Sequence, residues 1–252
     1  MSDRRSVPIV LPRVEADSCS IELREKILRD IPMFEDLSAT DIASINQLFV
    51  DRGFEPGATI IREGERADRL FVVAMGIVTL SRATESGGTV LMDILTTGEY
   101  FGSIAGYGPS TYEDTAVAQS KVCALSIDSS AFRRILVEHP QVALKSIEIL
   151  TDRLHLAHEM MRQLGGYPAE ARIAHILLRL AGKLGVPWEG CTLIQAPLSR
   201  EQLASMAGTT TETASRTVSR LQRLGAIRAG RGWIALANTP ALRELAPEFN
   251  LR

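Results

Sequence analysis

Cysteine is scarce in this sequence. Cys19, Cys123 and Cys191 stand far apart among 252 residues. They form no metal-ligand cluster and no disulfide framework, and they suit a reducing compartment. Aromatic residues make up 5% of the chain, so the core is expected to be aliphatic. No run of about 18 apolar residues occurs, which excludes a membrane-spanning helix. The opening MSDRRSVPIVLPRVEADSCS is broken by prolines into apolar runs too short for a signal peptide. Net charge is only −2, which argues against indiscriminate coating of nucleic acid. Nor does a glycine-rich phosphate loop, a metal-ligand spacing or a nucleophile motif appear, so no enzyme is expected.

What is present, 45% hydrophobic and 23% charged residues, describes a soluble globular chain of one large or two modest domains. The small net charge hides an asymmetry. Residues 21–140 hold 11 Lys/Arg against 18 Asp/Glu, a balance of −7. Residues 197–236 hold six arginines (200, 216, 220, 223, 228 and 231) against Glu201 and Glu212, a balance of +4. An acidic body with one basic module fits a protein that meets phosphate on a single face.

Residues 1–27 read as a flexible N-terminal arm, although apolar residues from Ile21 to Ile31 fall at helical spacing. Ser38 is placed to cap a second helix. From Arg52 to Ile127 short apolar runs alternate with glycine-marked turns, and Ser86-Gly87-Gly88 reads as a hairpin tip. This pattern predicts a small β-barrel or sandwich, with residues 28–138 as one domain. Ser129–Glu138 is a short helix. Pro140 suits the start of a long one that ends at Gly165-Gly166. Along residues 139–165, Ile147, Leu150, Leu154, Ala157, Met161 and Leu164 repeat at spacings of 3 and 4, the seam of a coiled coil. Val142, Ile149, Leu156 and Met160 form a second apolar stripe. One stripe is expected to pack on the β-domain while the seam meets a second copy; both stripes in one intramolecular core is the alternative. Gly165-Gly166-Tyr167-Pro168 reads as a hinge to a last domain, 166–252.

That domain opens with a helix from Ala169 to Leu184 and a loop with a short strand between Val186 and Ala196. Leu198–Leu224 then has the pattern of a helix-turn-helix. Ser199 caps the first helix with Gln202 three residues on. Gly208 supplies the turn. Thr209 or Thr210 caps the second helix, where Glu212 is placed to complete a capping box. Ala214, Val218 and Leu221 face the core, while Glu212, Ser215, Arg216, Ser219 and Arg223 share a polar face with the donors and acceptors that read base edges. Ser199, Arg200, Thr210 and Thr211 complete the expected DNA-facing set. A hairpin over Ala226–Leu236 follows as a wing, with Arg228 and Arg231 placed for phosphate. Two ordinary core helices with solvated faces are the bland alternative.

The order β-roll, long helix, winged helix-turn-helix resembles the Crp/Fnr family of bacterial transcription regulators over about residues 28–245. Glu63-Gly64-Glu65-Arg66-Ala67-Asp68-Arg69-Leu70-Phe71-Val72-Val73 with Gly76 resembles its β-roll hairpin signature, and Gly98-Glu99-Tyr100-Phe101-Gly102 its later glycine turn. Glu212-x-x-Ser215-Arg216 is similar to the Fnr branch; the cyclic-AMP receptor branch would carry Arg where Thr211 stands. The resemblance implies an α+β chain of the cytoplasm, a homodimer on double-stranded DNA that sets two reading helices in successive major grooves, and RNA polymerase as a further partner. It implies Arg216 on a guanine, Glu212 on a cytosine amino group, Ser215 on a thymine, and inverted TTGAT-type half-sites. A ligand-binding module with a degenerate DNA-binding part is the competing class, which lack of any sequence preference in a gel shift would favour.

For the input end, the cyclic-nucleotide branch places a Glu after Phe-Gly for the ribose and an Arg further on for the phosphate. Ser103 stands at the first position. The second falls around Tyr112, with Glu113 and Asp114 beside it, and carboxylates repel a phosphate. Cyclic AMP is therefore not expected. The Fnr iron–sulfur cluster needs four cysteines, and Cys19 alone lies near the N-terminus. Cys123, within VCALSI, reads as a small buried apolar residue. Haem stays open, with His139, His155, His158 and His175 as the histidines, and so does control by abundance alone. A small ligand is expected between β-roll and long helix, at Gly102, Ser103, Tyr112 and Thr115 opposite residues 150–161, shifting the DNA-binding domains through the glycine hinge.

Overall fold

The computed structural model describes residues 8–9, 21–85, 87–104 and 107–246. From Ile21 onward these fall into two compact units that divide between Ala157 and His158.

The first unit opens with α1 (Ile21–Asp30), a 3-10 turn at Pro32–Phe34 and α2 (Ala39–Asn46). Ser38 caps α2 by accepting from Asp41 N. Eight strands follow: β1 (Val50–Phe54), β2 (Thr59–Ile61), β3 (Arg69–Met75), β4 (Val78–Ala83), β5 (Thr89–Leu95), β6 (Tyr100–Gly102), β7 (Thr115–Ala118) and β8 (Val122–Asp128). All pairings are antiparallel, in two four-stranded sheets ordered β1-β8-β3-β6 and β2-β7-β4-β5. Strands β3 and β8 are apolar on both faces because both faces are covered. Alternate residues point opposite ways along a strand. Phe71, Val73, Val122 and Ala124 thus enter the core between the sheets, with Phe71 stacked on Phe101 at 5.2 Å. Leu70, Val72, Leu125 and Ile127 enter a second core under α1, α2 and α3 (Ser129–Glu138), built round Phe34 and Phe132.

Three expectations change here. The expected flexible arm over residues 1–27 does not hold for residues 21–27, because α1 belongs to this unit. Ile27 and Leu28 are buried in its core, and Arg24 donates to Asn46 and Phe49 and pairs with Asp51 at 2.9 Å. Residues 10–20, including Cys19, lie outside the described set. Cys123 is buried but disulfide-bonded, whereas Cys191 is free. The expectations of no disulfide and of a simple apolar role for Cys123 are corrected, since disulfide pairing follows approach in space and not spacing in sequence.

The long helix is α4 (Pro140–Gly166), which begins in the first unit and ends in the second. Gly165 and Gly166 are helical, so the break falls instead at Tyr167-Pro168, where proline cannot continue the helix. Val142 is buried and Ile149 packs on the core beside it, as expected of the inward stripe. Leu156 departs from that stripe and is exposed. The six seam residues Ile147, Leu150, Leu154, Ala157, Met161 and Leu164 are all exposed, Ile147 by 60% and Leu154 by 57%.

The second unit continues with α5 (Ala169–Leu184), β9 (Gly185–Trp188), β10 (Cys191–Ile194), α6 (Arg200–Met206), α7 (Thr211–Arg223), β11 (Ile227–Gly230), β12 (Trp233–Leu236) and α8 (Thr239–Leu245). Residues 186–196 are therefore a hairpin, not a loop with one strand. β10 pairs with β12, giving a sheet ordered β11-β12-β10-β9. Ile173, Leu177 and Leu180 of α5, Leu203 of α6, and Ala214, Val218 and Leu221 of α7 are all buried.

Candidate nucleic-acid interface

The two helices α6 and α7 owe their ends to local hydrogen bonding. Gln202 N donates to Ser199 Oγ at 3.0 Å and Ser199 N donates to Gln202 Oε1 at 2.9 Å, a complete capping box. Gly208 then turns the chain with φ of +56°, a conformation that a β-carbon would strain. Thr210, and not Thr209, caps α7 by accepting from Thr213 N at 3.1 Å. This start makes Glu212 the second helical residue, one short of the capping-box position. Its carboxylate is left facing Arg216 one turn on.

With Ala214, Thr217, Val218 and Leu221 buried, the opposite side of α7 is polar. Thr211, Glu212, Arg216, Ser219 and Arg223 are exposed and Ser215 is half-buried. Arg216 lies 3.8 Å from Glu212, with both side chains over 70% exposed. A surface pair of this kind contributes about 0–1 kcal/mol. A bidentate base contact discriminates by about 1–3 kcal/mol, so the pair yields readily to a base edge. Ser219 donates to Ser215 O and keeps its acceptor positions. A cleft of about 540 Å³ runs along this helix, lined by Arg216, Arg220 and Arg223 together with Glu170. Arg220 pairs with Glu170 at 3.0 Å.

The remaining expected residues divide. Thr210 and Ser199 spend their hydroxyls on caps. Arg200 is half-buried at the start of α6, and desolvation lowers its pKa. Arg231 stands exposed at the wing tip. Arg228, half-buried beside the wing, has partners within the unit. It pairs with Glu189 at 2.8 Å and lies 4.5 Å from the centre of the Trp188 ring, which packs edge-on against Trp233. The hydrogen bond to Glu189 raises its pKa, with Cys191 adding to the effect. Sequence patterning missed Gln222, which donates to Ala229 O and ties α7 to the wing, and Arg172, whose partners are tertiary.

Three of the four residues expected round an effector lie together within the β-unit. Gly102, Ser103 and Tyr112 gather on the backbone of Arg69. Ser103 N donates to Arg69 O at 2.9 Å, and Tyr112 OH both accepts from Arg69 N and donates to Arg69 O at 3.2 Å. A β-carbon on Gly102 would stand 2.6 Å from Arg69 O. Tyr112 is a core residue, and burial raises its pKa. Thr115 accepts from Glu63 N at a separate place. Glu113 and Asp114 both pair with Arg82. Between the 3-10 turn and α4 there is a cleft of about 350 Å³ lined by Pro32, Glu35, Lys145, Ile149 and Arg153. Arg153 stacks 4.1 Å over Tyr100 and donates to its carbonyl. His155 and His158 are exposed on α4 and His175 is buried. Among the described residues no group of His, Cys, Asp and Glu could hold a metal ion, and no helix is long and apolar enough to cross a membrane.

Comparison with known proteins agrees with this architecture. A cyclic nucleotide-binding domain matches residues 51–139, and a Crp-like helix-turn-helix domain matches residues 171–245. The chain belongs to the Crp/Fnr family of transcription regulators. Within that family it is 28% identical over 225 residues to the transcriptional activator protein FnrL of Cereibacter sphaeroides, covering 88% of this chain and 86% of that one. It is 26% identical over 218 residues to a CRP-like cAMP-activated global transcriptional regulator of Mycobacterium tuberculosis, covering 86% and 94%. The structure of FixK2 from Bradyrhizobium japonicum superposes with a TM-score of 0.70 at 25% identity, over 80% of this chain and 99% of that one. Like these Crp/Fnr relatives, the chain is a DNA-binding transcription regulator.

Proposed function

We propose that the protein acts as a homodimer on inverted TTGAT-type half-sites, reading them as the Fnr branch does. Each α7 enters a major groove. Arg216 donates to a guanine, Glu212 accepts from a cytosine amino group, and Ser215 touches a neighbouring thymine. The observation that carries this reading is the polar Glu212–Ser215–Arg216 face, with Glu212 and Arg216 exposed, on a helix held from behind by Ala214, Val218 and Leu221. Arg231 and Arg200 hold phosphate. Ile147, Leu150, Leu154, Ala157, Met161 and Leu164 supply the dimer seam. Burying one Leu or Ile side chain is worth about 1.5–3 kcal/mol, so a stripe of this length is a strong reason to associate.

The effector, where one acts, is not cyclic AMP. Arg82 neutralises the two carboxylates that stand in the place of a phosphate-binding arginine, and the Ser103 side chain is buried. Control by abundance, and contact with RNA polymerase in the cytoplasm, belong to the same reading. A gel shift on a TTGAT inverted repeat tests it. Arg216→Ala should lose the specific complex and keep the dimer, whereas an unchanged complex would refute the role of Arg216.

A further inference from the structure

Arg172, in the first turn of α5, donates from all three guanidinium nitrogens to backbone carbonyls. Nε bonds Ala207 O at 2.8 Å, Nη2 bonds Gly208 O at 3.1 Å, and Nη1 bonds Tyr167 O at 2.7 Å. The first two carbonyls close α6 and form the turn before the reading helix. The C-terminal carbonyls of a helix have no partner within it and carry partial negative charge, so a cation there is doubly favoured. The third carbonyl belongs to the link between α4 and α5. A second contact spans the same joint: a β-carbon on Gly208 would stand 2.6 Å from Leu164 Cδ2, so the last turn of α4 rests on the helix-turn-helix turn itself.

We infer that Arg172 is a positioning residue for DNA recognition: it fixes α6 and α7 against the end of α4, and so sets the half-site spacing that a dimer accepts. The inference rests on the homodimer reading above. One side chain bridges a joint whose backbone would otherwise pivot at Tyr167-Pro168. A single ammonium on a flexible stem cannot reproduce a planar fork holding three acceptors, so lysine is not an equivalent here. Arg172 acts on the geometry between the two reading helices and leaves each helix's own base contacts intact.

The test uses the full-length protein, Arg172→Gln and Arg172→Lys, each titrated against inverted repeats whose spacer is optimal, one base pair shorter or one longer. One base pair rotates a half-site by roughly 35° about the duplex axis, so wild type should lose about 30-fold or more in affinity on either changed spacer. Both variants should lose about 10-fold on the optimal spacer yet discriminate among spacers by less than about 3-fold, with single-base preferences and salt dependence unchanged. A phosphate contact would give another pattern: a salt slope lower by about one for glutamine, restored by lysine. That result, or spacer discrimination as sharp as wild type in both variants, overturns the inference. So does an equal loss at every spacer with base preferences blurred, which marks a general structural role. A wild-type protein with no spacer optimum overturns the dimer reading and this inference with it.

Discussion

Arg82 Nε stands 3.0 Å from Asp114 Oδ1, and its Nη2 stands 3.6 Å from Glu113. The hydrogen bond to Asp114 is the first cause of a raised Arg82 pKa, so the pair is mutually satisfied within the β-unit. A phosphate at this place would have to displace a carboxylate from its cation. Cyclic AMP should therefore give no saturable heat and no rise in melting temperature. A ligand present at 100 times its Kd would add about 2.7 kcal/mol of stability, a shift too large to overlook. Such a shift with cyclic AMP would show that Arg82 releases the carboxylates.

The seam on α4 makes a prediction about assembly. Leu154→Glu places a charge in the middle of the exposed stripe. Sedimentation should report a monomer, and the affinity for an inverted repeat should fall by about two orders of magnitude or more as the second half-site is lost. A dimer that survives this change would move the interface off the stripe.

Asp128 caps α3 by accepting from Ser130 N and Oγ, and these bonds hold its carboxyl below 3.8. A lowered carboxyl stabilises the fold at pH above its unfolded value and loses that contribution as pH falls through the folded one. Removing an N-cap costs typically about 1 kcal/mol, so Asp128→Ala should show that loss at neutral pH. The gap to wild type should close as the pH is taken below 3.8. A gap independent of pH would assign the loss to packing.

Thiol chemistry separates the two described cysteines. Without reductant, an alkylating reagent should modify Cys191, which is free and half-buried, and spare Cys123, which is disulfide-bonded. Reduction should expose Cys123 in unfolded protein. Mass mapping that finds Cys123 alkylated before reduction would contradict the bond.

Much of this molecule was legible because its signals are local. Ser38, Ser199 and Gly208 announce helix ends by chemistry within a few residues, and α5 spans the expected Ala169–Leu184. The polar face of α7 follows from burying Ala214, Val218 and Leu221. The failures are tertiary. Gly165-Gly166 stays helical because glycine only weakens a helix, by about 1 kcal/mol each against alanine, and the real stop is Pro168. Pro187 disguised β9, which lies at a sheet edge where proline is tolerated. Helix α8 was missed: it is short and holds one fully buried leucine, Leu242. The partners of Tyr112 and Arg228 were not legible, because residue type does not tell which backbone or carboxylate a side chain will meet. Arg172 was invisible, since its acceptor Ala207 lies 35 residues away.

The central claim, that Glu212, Ser215 and Arg216 read the DNA, is tested most directly by selecting binding sites from random DNA with wild type and with Arg216→Ala. Wild type should enrich an inverted repeat of TTGAT-type half-sites. The variant should lose the preference for guanine, at a cost of about 1–3 kcal/mol per half-site. A wild-type motif without two-fold symmetry, or a variant that enriches the same guanine, would contradict the account.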